Sequence, residues 1–179
     1  MAERPDYEKA IALLSAPGRQ VRSETQVVAP PLGVGGTASL YFEPTSGYVA
    51  RLVGLRVRCP KASVAPASGA LILTVNVGSI NRCICCFGFA QWGTTTANEI
   101  GFWWSRPMAG PYVQPLTNTF STPSIYCYPA AEDWWGVLAG LPMTAGNRLT
   151  VALYNGTNVA GNAADYFNVQ ALLDEEAVS

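Results

Sequence analysis

Cys83-Ile-Cys85-Cys86 is the densest group of side chains in this chain that could do chemistry. Such thiolates could hold a metal, or one could attack an electrophile. A structural zinc site takes four ligands, commonly as two close pairs separated by a turn. The other two cysteines, Cys59 and Cys127, are isolated, and the chain contains no histidine. It therefore lacks both the usual base that activates a cysteine and the commonest metal ligand. In a strand, Cys83 and Cys85 point to one face and Cys86 to the other, so the three do not converge. They read as buried thiols, which behave as small hydrophobes.

Paired carboxylates are the remaining route to hydrolysis, as in glycosidases. The acids available are Glu43, Glu99, Glu132, Asp133 and Asp165, with Asp174, Glu175 and Glu176 further on. Glu132 and Asp133 read as a solvated loop, and no two acids are placed at a defined separation. Gly33-Val-Gly35-Gly36 lacks the Gly-Lys-Ser/Thr ending of a phosphate-binding loop and reads as a flexible turn. Asn155-Gly-Thr157 matches a glycosylation sequon but reads as an Asn-Gly hairpin turn. The expectation is a non-enzyme with no catalytic residue, metal or cofactor.

The aromatic pairs offer a binding chemistry instead. Phe102-Trp103-Trp104 and Trp134-Trp135 each set neighbouring rings side by side. In a strand one ring of each pair can fill the core while the other meets the surface, anchoring a protein partner or stacking on a sugar. Trp103, Trp104, Trp134 and Trp135 are therefore the candidate interface or ligand residues. Strand ends and loops covering both rings is the alternative.

The elements that position these residues read as β. Val49–Arg58, Ala70–Val77, Arg148–Tyr154 and Tyr166–Leu173 alternate apolar and polar residues, the period of strands with one face in a core. In the first of them, Val49, Val53, Leu55 and Val57 share a face, with Arg51 as an exception. Further strands are predicted at Ser39–Glu43, Cys83–Ala90, Glu99–Ser105, Ile125–Tyr128 and Trp135–Leu138. Turn formers at Pro44–Gly47, Gly93–Asn98 and Thr144–Asn147 separate the runs. Asp6–Ser15 is the one predicted helix, ended by Pro17-Gly18. Residues 1–35 read as an N-terminal helix and extended arm, and 36–179 as an antiparallel β-sandwich domain, jelly-roll-like in its best single form.

Composition bounds the partners. Charged residues make up 13% of the chain and hydrophobic ones 49%, against about 25% charged in an ordinary soluble domain. A chain so poor in charge is expected to share its surface with neighbours. The net charge of −1 and the absence of clustered cations argue against nucleic acid. The longest nearly apolar run, 125–141, is broken by Pro129, Glu132 and Asp133, which argues against a membrane helix. Met1–Asp6 lacks the basic-then-apolar pattern of a signal peptide, so synthesis in the cytosol with free thiols is expected. Nine of 11 cations fall between Arg4 and Arg82, and seven of 12 acids from Glu99 onward. That asymmetry fits either chance or head-to-tail contact between unlike patches of neighbouring subunits.

Pro142–Thr157, followed by Asp165–Leu173, resembles the closing strands of small β-sandwich virion proteins of tailed bacteriophages. These carry a Gly-Asn/Asp-x-Leu-x-Val strand, an Asn-rich loop and a final Phe-x-Val-x-Ala strand. The resemblance implies a head decoration (cement) subunit, located in the virion after synthesis in the host cytoplasm. Its partners would be the major capsid protein or other virion proteins, and it would form homo-oligomers, with a trimer favoured. A tail, fibre or adaptor component, or a carbohydrate- or receptor-binding module, is the alternative. The cysteine group has no counterpart in that family.

Overall fold

The computed structural model describes residues 17–28, 32–88, 100–105, 112–115, 125–127 and 138–178, with residues 80–127 described by their backbone alone. The fold is all-β, and the described residues form ten strands in two five-stranded antiparallel sheets. These are β1 (Arg19–Val28), β2 (Thr37–Phe42), β3 (Tyr48–Arg58), β4 (Ala70–Val77), β5 (Ile80–Gly88), β6 (Ile100–Ser105), β7 (Tyr112–Pro115), β8 (Ile125–Cys127), β9 (Leu149–Asn155) and β10 (Phe167–Ala177). The first sheet has the order β1-β10-β3-β6-β7 and the second β2-β9-β4-β5-β8. The pairings nest along the chain: β1 with β10, β2 with β9, β3 with β6 and β4 with β5.

Period-two sequence becomes one-sided burial. Leu71, Leu73, Val75 and Val77 of β4, Leu149, Val151 and Leu153 of β9, and Phe167, Val169, Ala171 and Leu173 of β10 are buried, and they join Phe42, Leu52 and Leu55 in one cluster. The cluster draws on both sheets, and each fully buried Leu or Phe in it is worth about 1.5–3 kcal/mol. Cys59 belongs to the same cluster, where burial pushes its thiol pKa up to about 12.

Several expectations need correction. Residues 19–28, read as part of an extended arm, form β1, paired along its whole length with β10. Its inward positions are Gln20, Arg22, Glu24 and Gln26, with Val28 alone apolar and packed against the core, so no hydrophobic alternation announces it. The predicted helix at 6–15 lies outside the described residues. Arg51 is no exception within β3: the register shifts opposite Leu172/Leu173, so Ala50 and Leu52 are buried before the bulge and Leu55 and Val57 after it. That bulge keeps Arg51, Arg56 and Arg58 off the core face. A further register shift, at Leu73/Thr74, breaks the alternation in the cysteine run. Cys85 takes the register of buried Leu73, whereas Cys83 and Cys86 align with Thr74 and Ile72 on the opposite face. Of the strand expected at Trp135–Leu138, Leu138 sits instead in a short helical turn and the rest lies outside the described residues. No helix among the described residues is long and apolar enough to cross a membrane.

Asn155 is not in a hairpin turn. It ends β9, fully buried, and its side chain organises the loop that carries the chain to β10 in the other sheet. Its amide nitrogen lies 2.8–3.2 Å from the carbonyl oxygens of Leu32, Gly33 and Val159, and its oxygen accepts from the Thr157 amide and hydroxyl. The glycine segment, expected to be flexible, is held by Gly35 N–H donating to the Asn155 carbonyl and Asn155 N–H donating to that of Gly36.

Candidate functional site

The two sheets present chemically different outer faces. On the sheet built around β9 and β4, the positions alternating with the core are Thr37, Ser39 and Tyr41 of β2, Thr150, Ala152 and Tyr154 of β9, and Ala70, Ile72, Thr74 and Asn76 of β4. They align in rows across the strands, Thr37–Tyr154–Ile72, Ser39–Ala152–Thr74 and Tyr41–Thr150–Asn76. None of these residues is charged. Tyr41 and Tyr154 are each about two-fifths exposed. Among the residues whose side chains are described, charge enters at the rim, where the Arg148 guanidinium lies 3.8 Å over the Tyr41 ring and 3.5 Å from Glu43. A sheet face without charge has less to lose on leaving water, because desolvating an ion costs more than desolvating a neutral group.

The first sheet holds most of the described charge, and its described ions other than Arg56 pair with acids or bases of the same chain. Arg19 pairs with Asp174, Arg22 with Glu24 and Glu175, Arg51 with Glu176, and Arg58 with Asp165. The early cations and late acids thus meet within one chain, because β10 lies between β1 and β3. Strand order explains the asymmetry along the sequence without contacts between subunits.

Glu175 is the centre of this polar system. It occupies an inward position of β10 and is fully buried. Its carboxylate accepts from Gln20 Nε2 at 2.7 Å, Arg22 Nε at 3.0 Å, and the Thr45 amide and hydroxyl, each at 2.8 Å. Burial pushes its pKa up, but the donors, led by the Thr45 amide, outweigh that and hold it below the usual range. Arg22 also donates to the Glu43 carbonyl, while Gln26 exchanges hydrogen bonds with the backbone of Tyr41. A side-chain amide therefore occupies backbone groups at the edge of β2, where another strand would otherwise pair.

Of the aromatic candidates, Trp103 and Trp104 lie on β6, at the register positions of Arg56 and Leu55 respectively. Leu55 is buried and Arg56 exposed, so the two tryptophans occupy opposite faces of the first sheet. Trp134 and Trp135 lie outside the described residues. Asp165 is held by Arg58, the Lys61 amide and the Tyr166 amide. Among the described residues no group of three His, Cys, Asp or Glu side chains could hold a metal.

No family model, curated protein or solved structure matches the chain. The functional reading therefore rests on the faces themselves. The weak charge of the outward strand positions is legible in the sequence, but their union into one face is not, and Glu175 does not stand out. The face exists only through the register of three strands, and Glu175 reads as an ordinary acid near an exposed end.

Proposed function

We propose that the two sheets stack as a jelly-roll sandwich and that the protein is a non-enzymatic virion structural subunit, a capsid decoration component built from repeated contacts between copies. The nested pairings β1·β10, β2·β9, β3·β6 and β4·β5 support the jelly-roll reading. That architecture serves viral shells, lectins and cupins alike, so topology alone does not choose among them. The chain's lack of histidine disfavours the metal-dependent branch.

The charge-free outer face built from β2, β9 and β4 carries the proposal. It offers Tyr41, Tyr154 and Ile72 as contact groups on a hydrogen-bonded scaffold, with small Ala152, Ser39 and Thr74 at its centre. Stable contacts bury about 800 Å² per partner, and repetition over a shell multiplies modest affinities.

Wild-type protein is expected to sediment as a homo-oligomer or to bind virion shells. Ala152→Glu, at the centre of the face, should weaken association about 100-fold by leaving one unpaired charge in each contact. Its melting temperature should stay close to wild type when measured on the dissociated subunit, since position 152 points away from the core. A monodisperse wild-type monomer that binds no shell would exclude this reading, as would an Ala152→Glu variant that assembles normally.

A further inference from the structure

We infer that the outer face of the first sheet carries a subsite for a carboxylate-bearing saccharide, centred on Arg56. A shallow recess of about 260 Å³ lies there, lined by Thr25, Arg56, Arg58, Asn168 and Gln170. Every lining side chain can hydrogen bond, and none is a carboxylate.

Arg56 differs from the other arginines whose side chains are described. Arg19, Arg22, Arg51, Arg58 and Arg148 each pair with an acid. Arg56 is exposed and forms no hydrogen bond or ion pair with any described residue. Its neighbours are fixed: Arg58 is held 3.0 Å from Asp165, and Gln170 donates to the Ser23 hydroxyl at 3.1 Å. That bond leaves the Gln170 carbonyl oxygen as an acceptor for a ligand hydroxyl. A guanidinium with its donors unused matches a carboxylate in a paired geometry that no neutral group reproduces.

The register adds the rest. Thr25, Gln170, Arg56, Trp103 and Tyr112 form a single row across all five strands. Strands are about 4.8 Å apart, and Trp103 and Tyr112 stand at the next two register positions beyond Arg56. Hydroxyl, amide and guanidinium side by side suit a sugar acid: Thr25, Asn168 and Gln170 for its hydroxyls and Arg56 for its carboxylate. A nucleic acid would need several unpaired cations along a track, and the recess offers Arg56 alone beside a paired Arg58.

Saccharide binding at this face does not depend on the oligomeric state. Full-length protein should be titrated by calorimetry with a galacturonic-acid oligosaccharide, its neutral galactose counterpart and a glutamate-rich peptide. The acidic sugar is expected to bind, with affinity falling as salt rises, and Arg56→Gln should reduce that affinity about 10- to 100-fold. The variant should melt like wild type, because Arg56 bonds to no described residue. Absence of acidic-sugar binding, equal binding of the neutral sugar, tighter binding of the peptide, or an unchanged Arg56→Gln affinity would each overturn it.

Discussion

Glu175→Ala is expected to destabilise the fold by about 3 kcal/mol, lowering the melting temperature by roughly 6–12 °C for a chain of this size. The loss is larger than for an ordinary surface acid because four donor groups converge on one buried carboxylate. Alanine leaves the Thr45 amide and hydroxyl without that acceptor and strands part of the Arg22 charge. Arg22 retains Glu24 and some solvent, which keeps the cost at the lower end for a broken buried pair. Thermal and urea melts check this figure, and a loss under about 1 kcal/mol would place the network among ordinary surface pairs.

The same residue sets an acid response. Its pKa is lowered in the folded state, so its contribution is fully present above the unfolded value, near 4.3, and is lost as pH falls through the folded value. Wild-type stability should therefore decline below about pH 5. Glu175→Gln, which cannot titrate, should decline less steeply over the same range in melts at matched salt.

Asn155→Asp is expected to be more damaging than Asn155→Ala, despite its closer shape. Alanine removes the bonds to three carbonyls and to Thr157, for a loss of about 2–4 kcal/mol. Aspartate keeps the acceptor for Thr157 but aims a negative charge at the Leu32, Gly33 and Val159 carbonyls in a fully buried site. Acidification should partly rescue the aspartate variant, because a protonated acid can again donate. Paired melts at pH 7 and pH 4 test the ranking. If aspartate is tolerated better than alanine at neutral pH, the amide's donor role is not what holds the loop.

The strands with an apolar side are legible in the sequence, and their limits move by only a few residues. Leu71–Val77 and Leu149–Leu153 alternate because one face is buried, so the period survives any sheet order. β1 is illegible for the converse reason: its inward residues are the polar partners of Glu175 and of the β2 edge. The split of β3 into two phases is hidden because a bulge advances the chain by one residue, turning Arg51 into an apparent error. The faces depend on strand order. Arg56, Gln170 and Thr25 become neighbours only when β10 lies between β1 and β3. Trp103 stands out through its neighbours in sequence, but its relation to Arg56 needs the register.

The placement of β9 and β10 has a consequence for how the protein is made. Each lies inside its sheet, β10 between β1 and β3 and β9 between β2 and β4. During synthesis β1 and β2 emerge early yet wait for pairing partners more than 100 residues later. Neither sheet can close until residues 149–177 have emerged from the ribosome, so β1 and β2 stay without their strand partners while the intervening chain is made.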